Sequence, residues 1–172
     1  MAISLYEASV TSYLQTLAAV SNFLDKAQVH SREHPLDLDT LVETRLFDDM
    51  RPFRFQIHSV VFHSLGALDS IRLGMFQAPP EHPAHDYAGL QALVLDTREK
   101  LQKLTPDEVN AHAGKDLIFK GSTVRTFTAE GFLLSFSLPN FYFHATTAYD
   151  ILRWKGVPVG KRDYIGALRV KT

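Results

Sequence analysis

Few side chains in this sequence are equipped for chemistry. It holds eight histidines and no cysteine, so thiol nucleophiles, disulfides and thiolate zinc sites are excluded and imidazole is left as the main ligand or acid–base group. His144 is the most pointed of the eight. It sits in PNFYFHATTAYDILRWKGVPVGKRDYIG, residues 139–166, among aromatics and ahead of Arg153-Trp154-Lys155. An imidazole in such a setting either binds a metal or is held between helices by hydrogen bonds. His58 and His63 stand five residues apart, about 140° around a helix axis, which sets them on different faces. His58 lies three residues before Val61, an apolar seam position, and is the better inward candidate. His30, His34, His82, His85 and His112 fall in loops or at helix ends and read as solvated. Ser59, Ser64 and Ser70 lie in no nucleophile elbow, and there is no glycine-rich phosphate loop. Asp69 and Asp150 read as helix-surface groups. Phe132, Phe136, Phe141, Tyr142 and Phe143 read as core filling ahead of pocket lining.

The elements that must carry these residues are helices. Ile3, Tyr6, Val10, Tyr13, Leu17, Val20, Leu24 and Ala27 alternate steps of three and four, one apolar seam along a first long helix. Residues 31–50 break at Pro35 and predict a loop with a short helical turn. Pro52 opens a second helix with Ile57, Val61, Ser64, Leu68, Ile71 and Met75 as its seam, and QAPPEHPAHD ends it. A third runs from about Asp86 to Leu104 on Tyr87, Leu90, Val94, Thr97, Leu101 and Leu104. Thr105-Pro106 is a further helix start. LIF and TVRTF flank Lys120-Gly121-Ser122 and predict a small hairpin. The fourth long helix starts near Thr128 or Ala129 on Leu134, Leu138, Phe141, Ala145, Ala148 and Leu152. It kinks at Pro139 and stops at Gly156 with Pro158 beyond. Four amphipathic helices in one domain over residues 1–172 make an all-α four-helix bundle.

The composition is that of an ordinary globular protein, with 45% hydrophobic and 22% charged residues over 172 positions. A net charge of −1 argues against bulk electrostatic binding to nucleic acid or membrane. No apolar run is long enough to span a bilayer, and MAISLYEASV has no basic stretch ahead of an apolar one. The expectation is a cytoplasmic protein with no nucleic-acid or membrane partner.

PNFYFH, AYDILR, KGVP and GKRDYIG, with FQIH at the start of the second helix as a weaker anchor, resemble the signature of the domain-of-unknown-function family numbered nineteen ninety-three, of the DinB/YfiT-like superfamily. The resemblance implies a DinB-like bundle over the whole chain with an up-down-down-up arrangement of helices, and the hairpin read from LIF and TVRTF makes a small β-hairpin before the last long helix. It also implies relatives that are often metal-dependent, some of them thiol-dependent transferases or isomerases. Their metal is held by one histidine of the second helix and a His-x-x-x-His pair on the fourth. This chain departs from that set, because Ala148 stands four residues after His144 and Asn140 four before. The expectation is therefore a small-molecule pocket between helices two and four lined by Gln56, His58, Asn140 and His144, with no cofactor. The alternative is a metal-dependent transferase or isomerase holding zinc or nickel through His58 and His144.

Two further expectations concern surfaces. Leu5, Leu14 and Phe23 add apolar area beside the first seam and suggest a homodimer through that helix. Residues 153–172 hold six Lys or Arg and one acid, while residues 33–49 hold six acids and one Arg. That asymmetry predicts a tail folded back near the acidic segment, docked by burial of Tyr164 and Ile165.

Overall fold

The computed structural model describes residues 3–78 and 81–171; Pro79 and Pro80, in the proline-rich connection, lie outside them. The chain is mostly helical. Helix α1 (Ser12–Glu33) is entered through a wide π turn, Glu7–Thr11, and is followed by the short α2 (Leu38–Val42). Helix α3 (Phe53–Val61) continues through a second π turn, Phe62–Gly66, into α4 (Ala67–Leu73). Then come β1 (Met75–Gln77), α5 (Tyr87–Gln102), α6 (Pro106–Asn110), β2 (Asp116–Lys120) and β3 (Val124–Thr128). Helix α7 (Ala129–Phe132) passes through a third π turn, Leu133–Ser137, into α8 (Leu138–Trp154), and α9 (Lys161–Ile165) closes the fold. Helix α3 packs on α8 and α5, and α1 packs on α5, α8 and α9.

The helix ends obey local chemistry. Asp86 accepts from Gly89 N–H and Thr128 from Gly131 N–H, each satisfying a donor that the helix leaves open. Thr105 and Glu108 form a reciprocal capping box. Helix α8 ends where Gly156 turns left-handed at φ +89°, with Val157 N–H reaching back to the Leu152 carbonyl at 3.0 Å.

Burial follows the expected seams with shifts at the π turns. Val10, Tyr13, Leu17, Val20, Leu24 and Ala27 are buried, while Ile3 is exposed. In the last long helix Leu133 is buried and Leu134 exposed, and in the second Val60 is buried in place of Val61. A hydrogen bond from i to i+5 admits one extra residue, so residues five apart come to share a face. Leu5 with Val10 and Leu133 with Leu138 are such pairs, and all four are buried. Leu5 and Phe23 therefore belong to the core of this chain, and the surface they offered for a homodimer lies inside it.

The expected hairpin is part of a three-stranded sheet, order β1-β2-β3. β2 and β3 pair antiparallel, and β1 joins β2 in parallel with Phe76 opposite Phe119. Gly74, at φ +70°, ends the helix before Met75 and releases the chain as a strand. Phe76 alone of β1 is buried. Its ring lies 4.9–5.4 Å from those of Phe62, Phe119, Phe132 and Phe136, and this cluster joins the sheet to the helices.

The tail does fold back, but onto the middle of α1 and away from the acidic segment. Asp163 accepts from Lys26 Nζ at 2.6 Å and from Asn22 Nδ2 at 3.3 Å, and Gln15 donates to the Ile165 carbonyl at 3.0 Å. The one acid of the basic tail makes the pairing, and the Lys26 contact holds its carboxyl below the usual range. Tyr164 is half-buried against Tyr149 and Ile165 is exposed, so polar contacts carry more of the docking than expected.

Candidate functional site

Gln56 on α3 and His144 on α8 meet across the main helix contact. His144 Nδ1 lies 2.7 Å from Gln56 Oε1, and Gln56 Nε2 donates to the Arg51 carbonyl at 2.8 Å. The second bond fixes the amide, so its oxygen must face the ring and Nδ1 must carry the proton. His144 Nε2 is left with a lone pair. Asn140, the other polar candidate on α8, donates its amide to the Phe136 carbonyl of its own helix at 2.7 Å and takes no part.

Four more histidines gather here, two of them against expectation. The His63 ring lies parallel to His144 at 5.8 Å, between the edges of Phe62 and Phe136. Its Nδ1 is enclosed without a hydrogen-bond partner among the described residues. His82 stacks on His58 at 4.8 Å, and His85 Nδ1 stands 3.2 Å from His58 Nε2. His82 and His85 are therefore half-buried pieces of the cluster and not solvated loop residues. Phe55 joins the two groups, with its ring edge-on to both His82 and His144. The sequence signal for His82 and His85 was their density in EHPAHD, but their partner depends on where that connection crosses α3.

His63 lies in the second π turn, and His58, ahead of it, is buried against different neighbours, His82 and His85. A hydrogen-bonded chain fixes that turn against its counterpart on the facing helix. Tyr13 O–H donates to Ser137 Oγ (2.8 Å), and Ser137 donates to the His63 carbonyl (2.6 Å). Ser137→Ala orphans two buried groups and is expected to cost about 1–3 kcal/mol for each. Tyr13→Phe leaves the Ser137–His63 bond intact and should cost only about 0.5–1.5 kcal/mol. Urea denaturation of the two variants checks that order.

Burial is the main reason the His58, His63 and His144 rings resist protonation, with pKa values lowered from 6.5 to about 4. Neighbouring imidazoles add to it: His82 and His85 for His58, His144 and His82 for His63, and His82 for His144. His82 is lowered too, by burial and then by Arg54. At neutral pH these four rings are uncharged acceptors. Beside them opens a cleft of about 820 Å³ lined by Arg51, Arg54, Phe55, Glu81, His82 and His85, among others. Arg54 is paired with Glu43 at 2.5 Å. Arg51 stands over the Phe55 ring at 5.4 Å and has no ion-pair partner among the described residues.

The three-imidazole metal set implied by the resemblance does not fit. Ala148 is wholly buried where the second helix-four ligand would stand, and Asn140 is bonded to its own helix. Among the described residues no three His, Cys, Asp or Glu side chains converge on one point.

The model of the family described as Domain of unknown function (DUF1993) matches residues 5–165. The crystal structure of a DinB family member protein from Shewanella denitrificans superposes with a TM-score of 0.79 at 26% sequence identity, covering 98% of this chain and 95% of that one. No curated protein matches. No helix among the described residues is long and apolar enough to cross a membrane.

Proposed function

Since the chain belongs to the DUF1993 family and has the helical architecture of a DinB family member, we propose that it is a DinB-like bundle that binds a small molecule at the histidine cluster between α3 and α8. The observation that carries this reading is the gathering of uncharged imidazoles, buried or half-buried, beside an open cleft. Arg51 supplies a cation for an acidic group of the ligand. The lone pairs of His82 on the cleft wall and of His144 behind Phe55 supply acceptors. A neutral imidazole held by an amide, as His144 is by Gln56, can take a proton in a transfer or isomerisation step. The pocket proposed from sequence thus keeps Gln56, His58 and His144, gains His82 and His85, and loses Asn140.

A panel of small carboxylic acids titrated into chelator-treated protein with ¹⁵N-labelled histidine tests this reading by NMR. Binding acids should move the His82 and His144 ring signals, and Arg51→Ala should weaken them roughly tenfold, as expected for loss of a charge-assisted contact of ~1.5 kcal/mol. His144→Ala should reduce binding while circular dichroism shows unchanged helix content. Acids that bind and leave all five rings unmoved would refute it.

A further inference from the structure

We infer that β3 is a dimerisation edge, on which a second copy of this chain pairs its own β3 antiparallel, with Thr126 opposite the partner's Thr126. The inference goes beyond the small-molecule reading and does not depend on it. In the order β1-β2-β3, β3 is an outer strand. Ile118 N–H reaches the Gly74 carbonyl at 2.9 Å, on the β1 side, and Ala129 N–H reaches the Lys115 carbonyl at 2.8 Å. Ile118 stands opposite Thr126. This alternation turns the backbone groups of Arg125 and Phe127 towards β2 and those of Val124, Thr126 and Thr128 away from it. The N–H groups of Thr126 and Thr128 and the carbonyls of Val124 and Thr126 have no partner among the described residues. An open edge of this kind is a template for another strand. The other edge is guarded by its shortness, since β1 has three residues. β3 has five, with β-branched Val124, Thr126 and Thr128, a single charge at Arg125, and neither proline nor glycine.

A second copy fits because the edge is complementary to itself, and in one register. Centred on Thr126, the two threonines exchange both their backbone bonds, and each Thr128 N–H reaches the partner's Val124 carbonyl, about four bonds in all. The Thr128 carbonyl is left to α7, which Thr128 caps. On the inner face Arg125 stands opposite the partner's Phe127, a cation beside an aromatic ring. On the outer face Val124, 71% exposed, lies against the partner's Thr128. The row that runs from Lys120 through Val124 ends on the partner's Asp116, so its two ends carry opposite charges. A shift to centre on Arg125 would set Arg125 directly opposite the partner's Arg125 at the closer Cα spacing of about 4.5 Å, like charge on like. A shift the other way, to Phe127, would call on the Thr128 carbonyl that α7 already uses, and would leave about half the bonds. Charge and bond geometry thus select Thr126, and the isologous pair joins the sheets of both chains into one.

The chain has no cysteine, so cross-linking through a single introduced one reads the register directly. Across the two-fold axis the Thr126 Cα atoms stand about 5.5 Å apart, inside the range of a disulfide, while the two Val124 Cα atoms stand about 14 Å apart. Mild oxidation of Thr126→Cys should give a covalent dimer, and the same treatment of Val124→Cys should not. Both positions are exposed, and circular dichroism checks that helix content is unchanged. By sedimentation the wild type should be dimeric at about 100 μM, and Thr126→Lys, which sets a like charge opposite its own copy, should raise the dissociation constant at least about fivefold. Thr126→Cys left uncross-linked, Val124→Cys cross-linked as fast, a dimer as tight in folded Thr126→Lys as in the wild type, or a monomeric wild type would each overturn the inference. The last of these would give the edge to a strand of another protein or to none.

Discussion

Stability is expected to fall steeply as the pH drops from 6.5 towards 4. His58, His63 and His144 accept protons in the unfolded chain near the ordinary value of 6.5 but in the folded chain only near 4. Within that window the unfolded state binds more protons, so acid favours it. Above 6.5 the three rings are neutral in both states and contribute no pH dependence, and below 4 the loss levels off. Each ring adds a slope of up to about 1.4 kcal/mol per pH unit. The combined slope falls short of three times that, because His144 is only half-buried and protonating one ring discourages the next. The carboxylates held low by hydrogen bonds, the exposed Asp37 and Glu108 and the half-buried Asp163, respond at still lower pH. Urea midpoints at pH 7, 5.5 and 4.5 should decline in order, with a shallower decline in His63→Gln. A midpoint constant across that range would contradict the burial of these rings.

Phe76→Ala is expected to destabilise the protein by about 3–5 kcal/mol, the range for truncating a buried aromatic. The residue is 3% exposed and its ring touches phenylalanines from the second π turn, β2, α7 and the third π turn. Only three residues pair β1 with β2, and a strand that short holds its place by its side chain. The loss should therefore include detachment of β1, seen as faster amide exchange at Ile118 and Lys120. Ile118→Ala, on the exposed face of β2, should change stability by no more than about 0.5 kcal/mol. A loss under about 1 kcal/mol for Phe76→Ala would show that the cluster does not anchor the sheet.

Where local chemistry decides structure, the sequence was legible. Asp86, Thr105 and Thr128 start helices, Gly156 stops one, and Lys120-Gly121-Ser122 marks the hairpin turn. The Gln56–His144 contact also followed from placing helices two and four together. β1 was not legible, since Met75-Phe76-Gln77 is too short to show a strand period and its partner lies some forty positions on. Nor were His82 and His85 as site residues, because their burial depends on the path of the connection and not on its composition. The seams failed at Ile3 and Leu134 for one reason: a helical period of 3.6 has no term for an i to i+5 turn.

Those wide turns say something about the length of the chain. Leu133 and Leu138 face the core together across five residues; were one residue between them removed, they would stand four apart, still neighbours on an ordinary α-helix. Leu134, exposed in the third turn, is the residue whose deletion would do this with the least loss of packing. The core is thus compatible with chains one residue shorter at each of the three turns. Single-residue insertions and deletions, which elsewhere in these helices would rotate an apolar face into water, have a place there where the core registers no change.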